Sequence, residues 1–536
     1  MSEAKMDTLL DMRGLRLEAG PKSDPTVILH GLDLQLKRGE VVGLVGESGA
    51  GKSSAGLAAM GVVRDGVRFA GGSVTFDGTE LTSQSPRRLR KLLGRRMAYV
   101  AQSAAASFNP AHRVIDQVTE APVLHGVMSR PEAEEDAIRL FRQMQLPDAD
   151  RIGMRYPHQM SGGQLQRAMT GMAMACRPDL IVFDEPTTAL DVTTQIEVLG
   201  AMRDIVERYD AAAIYITHDL AVVSQMADRI MVMRHGQEVE TQPTRDMLAT
   251  PREDYTRSLW SVRSLNRPAR VEPRPALLEC RDLSAGYGDV KVLHDVSVEL
   301  PRGRTTTVVG ESGSGKSTLA KVIAGLMPPM SGQVLWQGDP LPADYRARGR
   351  DLLHDVQMIY QMADTALNPR HTVRETLARP ARFCRGLTGK ALQSRVRDLM
   401  ELIELSPDKF LDRRIPELSG GQKQRIGIAR ALAAEPRFVI CDEVTSALDQ
   451  LVAGGILRLL MRLQDELDLT YMFITHDLAT VRAIADQVVI MQKGRVVEQG
   501  PRDRIFDAPQ QDYTRRLLEA VPQMDPDWLS RVRAAS

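Results

Sequence analysis

The chain has 536 residues, which is too long for one hydrophobic core and suits two domains of about 250 residues each. Lysine plus arginine number 69 and aspartate plus glutamate also number 69, so the broad positive field of a non-specific nucleic-acid binder is lacking. No apolar run approaches the roughly 20 residues of a membrane span, so any role at a membrane is expected to come through partners.

The sequence predicts two copies of one module, joined by a linker. We place the first module at residues 1–261, the linker at 262–276 and the second module at 277–536. Three prolines within 266–275 oppose both helix and central strand, and this locally basic stretch is interpreted as solvated and flexible. The second module restarts at its first strand, because Leu277-Leu278-Glu279 echoes Leu9-Leu10-Asp11.

In chain order, each module opens with β-rich segments and then reaches a glycine-rich loop. A predicted strand at 41–45, or 307–309 in the second copy, leads into this loop, and a helical middle region follows. A second apolar strand, 180–183 or 438–441, then ends at an acidic pair. The order of strand, phosphate loop, helix and later strand predicts an α/β nucleotide-binding core in each half.

The glycine-rich loops have the form G-x-x-x-x-G-K-[ST], which cradles a triphosphate with backbone N–H groups above a helix N-terminus. Lys52 and Lys316 are predicted to reach the β- and γ-phosphates, and the hydroxyls of Ser53 and Ser317 to bind Mg²⁺. The predicted loop residues are Gly46, Glu47, Ser48, Gly49, Ala50, Gly51, Lys52, Ser53 and Ser54, and in the second module Gly310, Glu311, Ser312, Gly313, Ser314, Gly315, Lys316, Ser317 and Thr318.

The acidic pairs and two histidines are candidates for the chemistry. Asp184 and Asp442 end apolar strands, where a carboxylate can hold Mg²⁺. The following Glu185 and Glu443 are predicted to orient and polarise the attacking water. His218 and His476, each within Ile-Thr-His-Asp after another apolar strand, are candidates for contacting the γ-phosphate.

A Ser-Gly-Gly-Gln motif in each module is the most specific signal, and with it the whole chain resembles a fused pair of ABC-transporter ATPase domains. The motif residues are Ser161, Gly162, Gly163 and Gln164, and Ser419, Gly420, Gly421 and Gln422. The resemblance implies an α/β fold of two tandem P-loop NTPase domains, each with a RecA-like α/β core, an antiparallel β subdomain and a helical subdomain. It also implies that each serine–glycine turn binds the ATP held by the opposite module, and that Asp191 and Asp449 couple the two sites.

Further elements resemble the oligopeptide and dipeptide importers of this family. Gln102 and Gln361 each run on into an Asn-Pro, and both modules end in Asp-Tyr-Thr-Arg. By this resemblance the two glutamines contact Mg²⁺ or water on one side and a groove for a permease helix on the other. The resemblance further implies two transmembrane permease subunits, an extracytoplasmic solute-binding protein, ATP and Mg²⁺ as ligands, and a peripheral location on the cytoplasmic face of the inner membrane.

Three departures from the family pattern refine these expectations. Tyr287 stands where these domains stack an aromatic ring on adenine, whereas the first module has Ala19, so the site of Lys52 is expected to bind ATP about 1 kcal/mol more weakly. Val444 replaces the proline found at Pro186, which is a packing position. The cysteine-bearing tail of some relatives is missing, so no iron–sulfur cluster is expected, and the four cysteines suit free thiols in a reducing cytoplasm.

Two alternatives stay open at this point. A soluble twin ATPase that acts on ribosomes or nucleic acid shares the same chemistry, but its relatives usually carry a long basic inter-domain arm or zinc-binding cysteines. A fused sugar-importer ATPase is disfavoured by the paired Asn-Pro and Asp-Tyr-Thr-Arg elements. The transported solute is not specified, because selectivity lies in the binding protein and the permeases.

Overall fold

The structure, a computed structural model, describes residues 8–187, 192–261, 267–268, 270, 272–446 and 448–535. The chain forms two compact units, one comprising Met1–Trp260 with Pro522–Ser536 and the other Ser261–Val521. Among the described residues, no helix is both long enough and apolar enough to cross a membrane.

The first unit contains two sheets. Four strands form an antiparallel sheet in the order β2-β1-β4-β5, and six form a sheet in the order β10-β9-β3-β8-β7-β6. In the larger sheet only β10 runs antiparallel to its neighbour. The strands are β1 (Thr8–Ala19), β2 (Thr26–Lys37), β3 (Val41–Val45), β4 (Val67–Phe76), β5 (Thr79–Glu80), β6 (Met97–Val100), β7 (Leu180–Asp184), β8 (Ala212–Ile216), β9 (Arg229–Arg234) and β10 (Gln237–Pro243).

The helices of the first unit flank the large sheet and build a separate helical region between β6 and β7, in which α4, α5 and α7 pack against one another. In chain order they are α1 (Lys52–Ala59), α2 (Pro86–Leu92), α3 (Ala104–Ser107), α4 (Val114–Leu124), α5 (Arg130–Gln143), α6 (Ala149–Ile152), α7 (Gly162–Met174), α8 (Val192–Arg208), α9 (Leu220–Met226), α10 (Thr244–Ala249) and α11 (Asp254–Ser261).

The second unit repeats this architecture with sheets ordered β12-β11-β14-β15 and β16-β17-β18-β13-β19-β20. Its strands are β11 (Ala276–Tyr287), β12 (Val290–Pro301), β13 (Thr305–Val309), β14 (Ser331–Trp336), β15 (Asp339–Pro340), β16 (Val356–Ile359), β17 (Phe438–Asp442), β18 (Thr470–Ile474), β19 (Gln487–Gln492) and β20 (Arg495–Pro501). Its helices are α12 (Lys316–Ile323), α13 (Arg350–Asp355), α14 (Ala363–Ala366), α15 (Val373–Arg385), α16 (Gly389–Leu402), α17 (Pro407–Phe410), α18 (Gly420–Leu432), α19 (Gln450–Leu467), α20 (Leu478–Ile484), α21 (Arg502–Asp507) and α22 (Asp512–Glu519).

The burial pattern explains why these segments form strands of different kinds. β3 and β7 are buried along their whole length and consist mainly of apolar residues, as expected for central parallel strands covered on both faces. β2 alternates between buried and exposed positions over its second half, which suits an antiparallel sheet with one face on the core. The predicted α/β core, antiparallel subdomain and helical subdomain are therefore all confirmed, in both halves.

The described arginines of the linker are docked on the second unit, which corrects the expectation of a solvated, flexible segment. Arg267 donates to Oε1 of Gln464 at 2.7 Å and also contacts Asp465. Arg270 donates to Asp465 at 3.0 Å, and Arg274 donates to Asp468 at 3.1 Å. Acidic groups of α19 and the turn after it compensate these cations, which is a contact that composition could not reveal. Arg263 lies outside the described residues.

The last segment of the chain differs from the predicted division, because Pro522–Ser536 groups with the first unit rather than with the second. It carries helix α23 (Trp528–Ala535), whose Trp528 and Leu529 are buried. The side chain of Gln225 donates to the carbonyls of Gln523 and Asp525, both at 2.9 Å, and accepts from the N–H of Leu529 at 3.0 Å. A buried amide of the first unit therefore fixes the backbone of this segment.

Candidate nucleotide-binding site

Both glycine-rich loops connect a buried strand to a helix that begins at the lysine of the motif. In the first module the loop joins β3 to α1, whose N-cap is Gly51 with φ of 93°, and in the second it joins β13 to α12 after Gly315 with φ of 99°. A Cβ at Gly51 would lie 2.8 Å from Leu29, and one at Gly315 would lie 2.7 Å from Leu293. Glycine is therefore required here by both conformation and space.

The two loop lysines are folded back onto their own loops. Nζ of Lys52 donates to the carbonyls of Gly46 at 2.7 Å and Glu47 at 2.9 Å. Nζ of Lys316 donates to Gly310 at 2.7 Å and Glu311 at 2.8 Å. Both lysines are nearly buried, with 6% of their surface exposed. A cation held over a loop of N–H groups at a helix N-terminus forms an anion site.

A serine hydroxyl and an aspartate carboxylate meet beside each loop. Ser53 donates to Oδ1 of Asp184 at 2.9 Å, and Ser317 donates to Oδ1 of Asp442 at 3.3 Å. Hard oxygen donors of this kind are those that Mg²⁺ prefers, so the residues present fit a magnesium ion. Burial, followed by the charge of Glu443, raises the pKa of the Asp442 carboxyl, and such a carboxylate gains from a cation.

The glutamate of each acidic pair is held from two sides. Nε2 of Gln102 donates to Oε2 of Glu185 at 2.9 Å, and Nδ1 of His218 lies 3.4 Å from Oε1. The second module repeats the group, with Gln361 at 2.7 Å from Glu443 and His476 at 3.5 Å. The structure thus brings together in each module the glutamine, glutamate and histidine that the sequence predicts.

The histidine and the glutamate shift each other's titration. The hydrogen bond to Glu443 raises the pKa of His476 above its usual value. Burial alone would lower the pKa of His218, but the hydrogen bond and the charge of Glu185 outweigh it, so this pKa is also raised. The hydrogen bond from His476 lowers the pKa of Glu443. In the second module the two shifts have opposite directions, so the pairing of His476 with Glu443 favours the charged form of each group.

Each Ser-Gly-Gly-Gln motif begins a helix. Ser161 is the N-cap of α7, accepts from the N–H of Gln164 at 3.3 Å, and donates its own N–H to the Gln164 side chain at 3.1 Å. Ser419 and Gln422 form the same reciprocal capping box on α18. Ser161, Gly162, Ser419 and Gly420 are exposed, so these helix N-termini are open to a ligand.

The remaining predicted residues are the aspartates after the acidic pairs, the tyrosine expected to stack on adenine, and the position that differs between Pro186 and Val444. Asp449 is the N-cap of α19 and accepts from the N–H of Val452 at 3.0 Å, while Asp191 lies outside the described residues. Tyr287 ends β11 and is 51% exposed, with Nζ of Lys321 lying 5.6 Å from its ring centroid and 3.2 Å from its hydroxyl. Pro186 and Val444 are both buried, as expected for a packing position.

Two tyrosines contact the phosphate loops, and the sequence motifs did not predict these contacts. The hydroxyl of Tyr255 accepts from the N–H of Glu47 at 3.4 Å, and that of Tyr513 accepts from the N–H of Glu311 at 3.3 Å. Each is the tyrosine of an Asp-Tyr-Thr-Arg element. The only sequence signal was that this element recurs, because the two contacts span 208 and 202 residues.

A buried carboxylate fixes the start of each Asp-Tyr-Thr-Arg helix. Glu240 of β10 accepts from the N–H groups of Arg252 at 2.8 Å and Glu253 at 3.1 Å, immediately before α11. Glu498 of β20 accepts in the same way from Gln510 and Gln511, before α22. These bonds bring the tyrosine of the helix to the phosphate loop in both modules.

A phosphate loop before a helix, with an acidic pair at the end of a parallel strand, defines a P-loop nucleoside triphosphatase, and this chain contains two. The family model described as ABC transporter matches residues 29–188 and 293–446. The chain therefore belongs to the ABC transporter family, and its two modules are the ATP-binding and ATP-hydrolysing domains of that family. A second model, described as the C-terminal region of oligopeptide/dipeptide transporters, matches residues 497–536.

Similar proteins span almost the whole chain. The glutathione import ATP-binding protein GsiA of Escherichia coli O6:H1 is 36% identical, over 97% of this chain and 90% of its own length. GsiA of Escherichia coli K12 is 37% identical over 93% of this chain and 87% of its own. Among solved structures, cbiO1 from Clostridium perfringens, part of an ABC transporter complex, is 29% identical and matches 44% of this chain and 91% of that chain with a TM-score of 0.40.

Proposed function

We propose that this ATPase powers the import of peptides or peptide-like solutes through a membrane permease. The observation that carries the proposal is that a complete set of hydrolytic side chains occurs in both modules, in a chain whose end matches the oligopeptide/dipeptide transporter region. The glutathione import proteins support the class of solute, since glutathione is itself peptide-like.

In the proposed binding step, the two glycine-rich loops bind the phosphates of ATP in the conformation that the structure shows. The N–H groups at the starts of α1 and α12 receive the phosphates, and Lys52 and Lys316 exchange their loop carbonyls for the β- and γ-phosphate oxygens. Ser53 with Asp184, and Ser317 with Asp442, would hold Mg²⁺. The ion would supply charge neutralisation between the β- and γ-phosphates.

For hydrolysis, Glu185 and Glu443 orient a water toward the γ-phosphate and draw its proton. Gln102 and Gln361 fix the carboxylates in place, and His218 and His476 lie on the other oxygen of each carboxylate. Phosphoryl transfer depends mainly on positioning and on stabilisation of charge, so a held carboxylate beside a protonated imidazole suits it.

We also propose that each ATP is completed during turnover by the Ser-Gly-Gly turn of the opposite module. Support comes from the exposed, capped N-termini of α7 and α18, which offer N–H groups to a γ-phosphate. Lys52 and Ser53 would then act with Ser419, Gly420 and Gly421, and Lys316 and Ser317 with Ser161, Gly162 and Gly163. ATP would draw the modules together, and phosphate release would let them part.

The proposed partners are two transmembrane permease subunits and an extracytoplasmic solute-binding protein, which place the chain on the cytoplasmic face of the membrane. A groove of about 470 Å³ in the second module supports this proposal. Its lining includes Tyr360, the residue before Gln361, together with Leu367, His371 and Arg430. Tyr360 and Leu326 expose 40% and 46% of their surface there, as suits an amphipathic helix of a permease.

Reconstitution tests the proposal. The chain is co-expressed with the permease and binding proteins encoded by neighbouring genes, placed in proteoliposomes, and supplied with radiolabelled glutathione and dipeptides. We expect uptake that requires ATP and is lost in the Glu185→Gln, Glu443→Gln double variant. Uptake of a sugar instead, or co-sedimentation with ribosomes and no association with any permease, would replace the proposal by one of its two alternatives.

A further inference from the structure

Tyr99 of the first module makes a contact that the second module cannot make. Its hydroxyl donates to Oδ2 of Asp184 at 2.5 Å, while Oδ1 of the same carboxylate accepts from Ser53 at 2.9 Å. Each oxygen of this aspartate therefore has its own donor. The ring of Tyr99 packs against the apolar core of the first unit, so its hydroxyl is delivered to the carboxylate from a fixed side.

The second module has a methionine at the equivalent position of the sheet. Tyr99 of β6 lies opposite Val182, two residues before Asp184. Met358 of β16 lies opposite Ile440, two residues before Asp442. The strands pair in the same parallel register, so the difference is one of chemistry and not of placement. A thioether has no hydroxyl to donate.

We propose that Tyr99 is a positioning residue for the metal site of the first module, and that the two ATP sites consequently differ in affinity for the divalent cation. With Oδ2 occupied, the Asp184 carboxylate is held with Oδ1 toward Ser53 and the phosphate loop. Partners that orient a ligating carboxylate typically contribute 10–100-fold in metal affinity. The inference rests on the proposed role of Asp184 and Ser53, and it predicts tighter metal binding at the first site.

Single-site chains separate the two sites. In a Lys316→Ala chain the first site reports alone, and in a Lys52→Ala chain the second does. Affinity for Mn²⁺ in the presence of ATP is measured by electron paramagnetic resonance, and affinity for ATP is measured in EDTA. For Tyr99→Phe in the Lys316→Ala chain, we expect Mn²⁺ affinity to fall about tenfold, at the lower end of the usual range, while ATP affinity in EDTA stays unchanged.

The second module supplies the matched variants. In the Lys52→Ala chain, Met358→Tyr is expected to raise Mn²⁺ affinity, and Met358→Leu to leave it unchanged. Equal Mn²⁺ affinity in the Tyr99→Phe and parent chains would overturn the inference, as would no gain from Met358→Tyr. Asp184→Asn separates the proposed metal site from the proposed role of Tyr99. If Asp184→Asn also leaves Mn²⁺ affinity unchanged, the proposed metal site is wrong. If Asp184→Asn abolishes Mn²⁺ binding while Tyr99→Phe has no effect, the metal site stands and only the role of Tyr99 is wrong.

Discussion

Gln102 and Glu185 are joined by a hydrogen bond of 2.9 Å from the amide to the carboxylate, and Gln361 and Glu443 repeat the pair at 2.7 Å. The glutamine belongs to the segment after β6 or β16, and the glutamate follows β7 or β17. Any movement of the glutamine therefore moves the donor that orients the glutamate. Under the proposed function, a permease helix that moves Gln361 would therefore also move the carboxylate of Glu443.

Replacing both glutamates should separate binding from turnover. The Glu185→Gln, Glu443→Gln double variant keeps the shape of each side chain but removes the group that accepts a proton from water. We expect ATP hydrolysis to fall by about 10²–10⁴-fold, the usual contribution of a general base. ATP affinity should change little, because the phosphate loops are untouched. Phosphate release and equilibrium ATP binding are the two measurements, and hydrolysis at the parental rate would refute the assigned role.

The His476–Glu443 pair should stabilise the fold most at mildly acidic pH. The pKa of His476 is raised, so its contribution is fully present below the unfolded value of about 6.5 and is lost as the pH rises through the folded value. The pKa of Glu443 is lowered, so its contribution is lost only when the pH falls below the unfolded value of about 4.3 toward the folded value.

We therefore expect His476→Gln to lower the denaturant midpoint of the apo-protein more at pH 5.5 than at pH 8.5. Urea unfolding curves at the two pH values provide the measurement. His371→Gln is the control, since this histidine lies outside the pair and bonds to Asn368. A loss of stability for His476→Gln that is equal at both pH values would contradict the assigned protonated state.

The sequence predicts most of the fold and most residues of the candidate site because these depend on local patterns. The segment 180–183 is a continuous apolar run, the phosphate loop is one contiguous motif, and Ser161 with Gln164 caps a helix within four residues. Repetition of each motif in both halves strengthened the prediction.

Contacts between distant segments were not predictable in this way. Tyr255 and Tyr513 reach the phosphate loops only because β10 and β20 carry glutamates that fix the preceding backbone. The docking of the last segment depends on Gln225, a residue with no motif around it. The linker arginines were interpreted as a solvated basic stretch, because the aspartates that pair with them lie almost 200 residues away in the sequence.

The adenine side of the two sites should differ in affinity. The second module has Tyr287 with Lys321 over its ring, whereas the first has Ala19 and, at the place of the lysine, Leu57. Stacking on a tyrosine contributes about 1 kcal/mol, or roughly fivefold in affinity. Tyr287→Ala in the Lys52→Ala chain should therefore weaken ATP binding about fivefold, and Ala19→Tyr in the Lys316→Ala chain should strengthen it. Equal ATP affinities of the two parent single-site chains in EDTA, where the metal sites do not contribute, would refute the asymmetry.

The tyrosines of the Asp-Tyr-Thr-Arg elements should stabilise the phosphate loops. Tyr255→Phe removes the hydroxyl that accepts from the N–H of Glu47, and such a hydrogen bond contributes about 0.5–1.5 kcal/mol. We expect roughly threefold weaker ATP binding at the first site, measured with a fluorescent nucleotide in the Lys316→Ala chain. Tyr513→Phe is the matched change, and in the same chain it should have no effect. Unaltered affinity in the Tyr255→Phe variant would make this tyrosine a packing residue.

Docking of the last segment on the first unit should depend on Leu529. This side chain is fully buried, and truncating a buried leucine to alanine usually costs about 2–5 kcal/mol. The loss falls on a short segment, so we expect Leu529→Ala to release it and not to unfold the unit. Amide hydrogen exchange over 523–534 should then accelerate. The backbone N–H of residue 529, which donates to Gln225 in the parent chain, should be among those that exchange faster.

Arg531→Ala is the control for this release, because Arg531 is 57% exposed and its ion pair with Asp525 is screened by solvent. Exchange in that variant should match the parent chain. If Leu529→Ala left exchange over 523–534 as slow as in the parent chain, the packing of Trp528 and the bonds from Gln225 would suffice to hold the segment, and Leu529 would have no separate part in docking.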